Sequence, residues 1–305
     1  MSERAYRIDP ALPVPDEVRR VARGRIDHAL DELRGTSDST RPEAIHEARK
    51  DMKKLRALLR LVRDELGDDV YGRENDCFRD TARTLSGIRD AEVMIATLGD
   101  LERIYGELPG AGSRLRPALV ANRFRLSGAS LRPASQVAID TLSAARERVA
   151  DWPLRANGFE AFEGGVRRIY RRGRRRFRAA QELPSADHMH EWRKRVKDLW
   201  YHVTLLQDAW QPVLSALADE THELSERLGD EHDVSVLRDW AHEHASALNG
   251  GDPLLRGFDA IVGDRRRELQ AEAFAYGARI YSDSPSVFAD KLDGWWEATR
   301  RTTIL

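Results

Sequence analysis

Six residues at fixed positions within a ten-residue stretch occur twice in this chain, and that duplication constrains the fold more than any other feature. His46-Glu47-Ala48-Arg49-Lys50-Asp51-Met52-Lys53-Lys54-Leu55 and His190-Glu191-Trp192-Arg193-Lys194-Arg195-Val196-Lys197-Asp198-Leu199 share the pattern HExRKxxKxL. Upstream, Val18-Arg19-Arg20-Val21-Ala22-Arg23 aligns with Val166-Arg167-Arg168-Ile169-Tyr170-Arg171. Downstream, Leu85-Ser86-Gly87-Ile88-Arg89-Asp90-Ala91 aligns with Leu228-Gly229-Asp230-Glu231-His232-Asp233-Val234. The repeat therefore spans each half, and it predicts two similar helical bundles, residues 1–152 and 153–305, related by an approximate twofold axis.

Apolar residues recur at helical spacing almost everywhere, and β-branched runs are nearly absent. An all-α chain follows, with helices expected near 14–34, 41–66, 71–88, 89–106, 112–127, 134–150, 157–181, 186–208, 212–228, 232–247, 253–277 and 285–301. Breaks are expected at Gly35-Thr36-Ser37, Pro109-Gly110, Asn249-Gly250-Gly251 and from Ser282 to Pro285, with Arg132-Pro133 and Trp152-Pro153 bracketing the middle.

On an α-helix turning about 100° per residue, His46, Arg49, Lys50, Lys53, Ala57 and Arg60 share one stripe, opposite Ala48, Met52, Leu55, Leu59 and Val62. The second copy gathers His190, Arg193, Lys194, Lys197 and Tyr201 opposite Trp192, Val196, Leu199, Val203 and Leu206. Each copy thus aims an imidazole and three cations in one direction. Neighbours three and four apart lie about 5 to 6 Å from one another, a pitch that a polymer charged at every repeat can follow. Arginine forks engage phosphate oxygens in pairs, lysines act as mobile point charges, and a phosphate favours the protonated form of a nearby histidine.

This clustering matters because bulk charge carries no information: 50 Lys and Arg balance 51 Asp and Glu, for a formal net charge of −1. A second cationic stretch runs from Arg167 to Arg178 with no acid inside it. Arg167, Arg171, Arg174 and Arg178 share a stripe there, and Arg19 and Arg23 are the first half's counterparts of the leading two, with Asp27 continuing their stripe.

Other residues invite weaker readings. Arg89-Asp90 and His232-Asp233 read as structural contacts at a helix junction, since an acid inside a polyanion site costs affinity unless paired. The pairs His188/His190 and His242/His244, with His222, His232 and Asp233, suggest a metal, but residues two apart diverge by roughly 200° on a helix, which disfavours joint ligation. Trp192, Trp200, Trp210, Trp240, Trp295 and Trp296 read as core or interface aromatics. No P-loop, dinucleotide fingerprint or RNA-binding aromatic motif occurs. The opening residues lack the apolar core of a signal peptide, no apolar run reaches the length of a membrane span, and the single Cys77 has no partner for an internal disulfide; a cytoplasmic location is expected.

With the doubled HExRKxxKxL helices, the VRRIYRRGRRRF entry to the second half, the LSGIRDAEV and LGDEHDVSV segments and the closing ELQAEAFAYGARIYSDSPSVFADKLDGWWEA, the chain resembles the CHAD family, the conserved histidine α-helical domain. The resemblance implies two pseudo-twofold-related four-helix bundles around a basic central cleft or pore that binds inorganic polyphosphate, and an association with polyphosphate granules. It also implies that His46, Arg49, Lys50 and Lys53, with His190, Arg193, Lys194 and Lys197, face the ligand. Arg89 and His232 differ between the halves and depart from the duplication.

The expectation is a binding module without cofactor or metal and without enzymatic activity, since neither stripe offers a nucleophile or a carboxylate cluster for Mg²⁺. Two rivals stand beside it. One is a metal-dependent polyphosphatase or phosphotransferase using acids such as Asp90, Asp230 and Asp233. The other is a nucleic-acid binder, against which the lack of interleaved aromatics for base stacking argues.

Overall fold

Helix α1 (Val14–Arg34) starts beside Pro13 and Pro15 with Asp16 and Glu17 in its first turn, where carboxylates oppose the positive end of the helix dipole. It stops at Gly35, whose φ of 75° closes the last turn as only glycine does without strain. Helix α2 (Arg41–Leu61) starts at Thr40, whose backbone N–H and hydroxyl both donate to the Glu43 carboxylate, at 2.9 and 2.7 Å. The computed structural model describes the backbone of residues 6–37, 39–85, 88–106, 108, 112–127, 131–245 and 251–303. It describes the side chains of all of these except 88–90, 112–113, 123–127, 131–132, 251–254 and 303.

Helices α3 (Arg63–Thr84), α4 (Ile88–Tyr105), α5 (Gly112–Ser127) and α6 (Leu131–Arg148) complete the first half. After an extended segment around Trp152 come α7 (Glu160–Glu182), α8 (Ala186–Leu205), α9 (Gln211–Glu243), α10 (Gly251–Ile280) and α11 (Pro285–Thr303). The described residues are helical or in turns and loops and contain no strand, so the all-α expectation holds.

Several boundaries moved. The helices expected at 212–228 and 232–247 are one 33-residue helix, α9, which runs straight through Gly229. In the first half, by contrast, the matching stretch is divided between α3 and α4. The break expected between 66 and 71 is a kink inside α3 at Gly67, with φ 71°, and α2 ends earlier, at Leu61. Pro109, Gly110, Asn249 and Gly250 lie outside the described residues.

The order of neighbours repeats between the halves. Helix α1 packs on α2, α2 on α3, α4 on α5 and α6 on α1; likewise α7 packs on α8, α8 on α9, α9 on α10 and α11 on α7. The apolar interior is divided differently from the sequence. One cluster joins residues of both halves, from Val18 and Met52 to Tyr170, Trp192 and Trp296, while a smaller one joins Met94, Leu98 and Leu119 to Leu237, Phe258 and Val262. Neither cluster belongs to one half alone.

The seam between halves explains two departures on α2. Ala57, expected on the polar stripe, is fully buried, and its carbonyl accepts from His202 Nε2 at 2.9 Å. Arg60 turns to Asp198 of α8, at 3.0 Å, and Asp198 also meets Arg195 at 3.1 Å. Gly165 of α7 lies so close to the Leu61 backbone that any side chain would collide with it. The C-terminal half of α2 is therefore covered by the other half of the chain, whereas its N-terminal half stays open. From the N-terminal segment, Ile8 N–H donates to Leu205 O at 2.8 Å and Tyr6 Oη–H to Lys54 O at 2.9 Å, tying the start of the chain across this seam.

Candidate functional site

Because only the C-terminal half of α2 is covered, its first three turns keep their cations open, and α8 does the same at the equivalent positions. Both sets line one cavity of about 960 Å³: His46, Arg49, Lys50 and Lys53 from α2, Arg193 and Lys197 from α8. The two stripes thus share a single concavity. Lys197 feels it directly, since burial lowers its pKa first and the charges of Arg193 and Lys50 add to the shift. Lys54, at the α2 wall, is lowered chiefly by burial, with Arg25 and Lys50 contributing against Asp51.

The acid of the repeated motif does the same work in both copies. Lys50 Nζ lies 2.9 Å from Glu47, and Lys194 Nζ lies 2.6 Å from Glu191, each pair one helical turn apart. Lys50 and Lys194 are therefore partly neutralised by their own helix, but both remain substantially exposed, at 39% and 45%.

Helix α9 forms the opposing wall. Its Gly229 lies under Arg193, whose Nη2 is 3.7 Å from the position a Cβ would take. His232 and Asp233 line the cavity rather than a helix junction, because α9 has no junction there. The His232 ring lies against His190 at a tilt of 32°, with centroids 4.4 Å apart, so His190 reaches the site through its partner imidazole although it is not itself part of the lining. Burial, then Arg193, His190 and Lys194, pushes His232 down to about 4, and burial, then Lys194 and Arg193, lowers His190. Both imidazoles are held neutral among cations. The charges of Glu191 and Asp187 on His190, and of Asp239 on His232, oppose these shifts without cancelling them.

The same wall carries Glu226 and Asp230, and burial, followed by the charge of Glu226, raises the Asp230 carboxyl. At one end stand Tyr6, Trp200, Tyr201 and His222; the Trp200 ring stacks on His222 at 4.3 Å and on Tyr201 at 4.9 Å. Trp200 is thus partly a cavity residue, while Trp192 and Trp296 are fully buried, as their core reading requires. Trp210 departs from it: it is 47% exposed, in edge contact with Trp295.

The remaining sequence candidates lie elsewhere. Arg60 is committed to the seam. Arg19 donates to Trp152 O at 2.9 Å and, with Arg23, lines a shallow depression that also holds Asp16 and Asp27. Arg167 pairs with Glu163 at 2.7 Å and Asp290 at 3.0 Å. Arg171, Arg174 and Arg178 stand on α7, outside the cavity lining. The side chains of Arg89 and Asp90 lie outside the described residues.

Lys54, Tyr6 and His222 are cavity residues that the repeat does not mark, and His222 was weighed only as a metal ligand. Lys54 has no counterpart in the second copy, where Asp198 occupies the position. Tyr6 and His222 come from segments with no repeat signal and reach the site only through the chain path. Of the remaining histidines, His188 Nδ1 meets Leu183 O at 2.8 Å and His242 Nε2 meets Asp259 at 2.9 Å, and His244 stacks on Trp240. Among the described residues no group of three His, Cys, Asp or Glu side chains converges as metal ligands would. Nor is any described helix long and apolar enough to cross a membrane.

A family model described as the CHAD domain matches residues 20–242, from within α1 to the end of α9, so that the closing pair α10 and α11 lies outside the match. No curated protein matches the chain.

Proposed function

This chain belongs to the CHAD domain family, and on that footing we propose that it binds inorganic polyphosphate in the cavity between its halves, holding the polymer without cleaving it. One observation carries the reading: Arg49 with Arg193, and Lys53 with Lys197, are duplicated positions from opposite halves that line the same cavity. A linear chain with a charge on every phosphate offers anions to both walls at once, as a single phosphate group does not.

The electrostatics favour such an occupant. Cations in this half-buried space lose hydration and repel one another, and the lowered pKa values of Lys54 and Lys197 register burial first and repulsion second. Condensed phosphate relieves it, with the arginines binding oxygens in pairs and the lysines following as point charges. Release of counterions makes the binding fall steeply with added salt. On this reading the protein resides where polyphosphate is condensed, on granules in the cytoplasm. The inorganic polymer suits the cavity better than a nucleic acid, because Trp200 is already engaged in stacking with His222 and Tyr201.

The test is titration calorimetry with tripolyphosphate and with longer defined chains, using the native protein and the variant Lys50→Glu/Lys53→Glu. Loss of binding in a variant of unchanged helical circular dichroism supports the proposal, and retained binding removes it from this cavity. Steady release of phosphate in Mg²⁺ or Mn²⁺ overturns the non-catalytic part. Displacement of the polymer by equal phosphate concentrations of DNA or RNA overturns its specificity.

A further inference from the structure

The arginines of α7 have no counterpart function in the first half. On α1 the equivalent positions are Arg23, Ile26, Asp27 and Leu30, so that face is not a row of cations, and before it Arg20 pairs with Glu17 at 2.6 Å and Arg19 lies near Asp16 at 3.7 Å. At the start of α7 the same holds, since Arg167 pairs with Glu163 and Asp290 and Arg168 pairs with Asp64 at 2.8 Å. Beyond that point the pairing stops. Arg171, Arg174, Arg175 and Arg178 form no ion pair with any described carboxylate, and no acid occurs on the helix between Glu163 and Glu182.

These four residues occupy one face. Spacings of three, four and seven place them within about 100° of helix surface, and the run covers roughly 10 Å along the axis at 1.5 Å per residue. Arg171, Arg175 and Arg178 are exposed and Arg174 is half-exposed. The opposite face of α7 is buried through Val166, Ile169, Tyr170 and Phe177, and Gly173 abuts the Tyr281 ring too closely to admit a side chain. The arginines therefore rise from an immobilised helix. Four like charges at helical spacing destabilise that helix, a cost that a polyanion lying on the face removes.

Arg176, on the side of α7 towards α8, lies 3.9 Å from Glu191, which in turn holds Lys194 at 2.6 Å. Lys194 acts on the His190–His232 pair at the cavity wall. The way from the cavity over Lys194 and Arg176 to the four arginines turns around α7, because Arg176 stands about 100° or more from each of them, and only a long polymer can follow it.

We propose that the Arg171–Arg178 face of α7 is a second, external track for the same polymer, engaged only by chains long enough to leave the cavity and lie across it. The inference rests on the polyphosphate reading and adds chain-length selectivity to it. Engaging both segments makes the second contact intramolecular, so long chains bind more tightly than their phosphate count alone requires. Guanidinium forks without exposed aromatic neighbours suit phosphate oxygens rather than bases.

The experiment compares the native protein with Arg171→Gln/Arg174→Gln/Arg178→Gln, titrated with tripolyphosphate, with long-chain polyphosphate and with duplex DNA. The expected result is a loss of long-chain affinity on the order of tenfold or more, with tripolyphosphate affinity changed less than about twofold. The thermal midpoint stays level or rises, because repulsion is removed. Equal long-chain affinity in both proteins overturns the external track while leaving the cavity reading intact. Failure of either polymer to bind the native protein sinks the cavity reading itself. A variant that loses DNA binding but keeps long-chain polyphosphate assigns the face to nucleic acid and also overturns the proposal. A lowered midpoint with equal losses for both chain lengths reduces these arginines to a structural role.

Discussion

His190 and His232 lie against each other with ring centroids 4.4 Å apart and planes tilted by 32°, one imidazole from each of two helices that face the cavity. Burial first, and then the charges of Arg193 and Lys194, keep both below the ordinary histidine value, His232 at about 4. At neutral pH the empty site therefore carries two neutral rings. A phosphate beside them favours their protonated forms and raises both values. Binding then takes up protons, and affinity rises as pH falls from 7.5 towards 5.5, the pH range in which the occupied site is protonated and the empty one is not. Calorimetry in buffers of different ionisation enthalpy measures the uptake directly. No uptake, or tighter binding at high pH, refutes the role of the pair.

The two Glu–Lys pairs of the repeated motif set a second expectation. Glu47 and Glu191 each place a carboxylate beside a lysine of the polyanion stripe. Exposed pairs of this kind are worth about 0.2 to 1 kcal/mol, so their loss costs the fold little. Replacing both acids, as Glu47→Gln/Glu191→Gln, removes repulsion toward the ligand and tightens tripolyphosphate binding by about twofold to fivefold per site at low salt. Unchanged affinity would mean that the acids yield to the ligand without cost.

His202 governs acid stability. It is buried at the seam, and because a carbonyl only accepts, the proton sits on the Nε2 that donates to Ala57 O at 2.9 Å. Burial pushes its pKa from 6.5 down to about 4, partly offset by Asp198 and the Ala57 carbonyl. Above the unfolded value the neutral ring belongs equally to both states. As pH falls from 6.5 towards 4 the unfolded chain takes a proton that the folded one refuses, and up to about 3 kcal/mol of stability is lost. Urea unfolding at pH 7 and 4.5 reads this loss, and His202→Gln flattens the profile. A variant with the native pH dependence would place the acid sensitivity elsewhere.

The polar stripe on α2 illustrates what local pattern conveys and where it stops. His46, Arg49, Lys50 and Lys53 could be placed together on one helix face from spacing alone, because the angle between residues on an α-helix is set by backbone geometry. Ala57 and Arg60 satisfied the same rule and were misjudged. Their face is covered by α8 and α7, and no periodicity within residues 46–62 records what arrives from more than a hundred positions away. His232 was undervalued for a related reason: its worth lies in standing opposite His190, a relation invisible in either segment.

By itself the sequence determined that the chain is all helix, that it contains a duplicated unit and that each unit carries the same row of cations. These are properties of short-range order, since hydrophobic periodicity and backbone hydrogen bonding act within a few turns. Whether the two rows diverge on separate surfaces or confront each other was decided only by the way α2, α8 and α9 pack across the seam. The physical reason is that burial of apolar faces has no direction along the chain: it assembles whichever helices fill the interior best, and the cavity is what that packing leaves open.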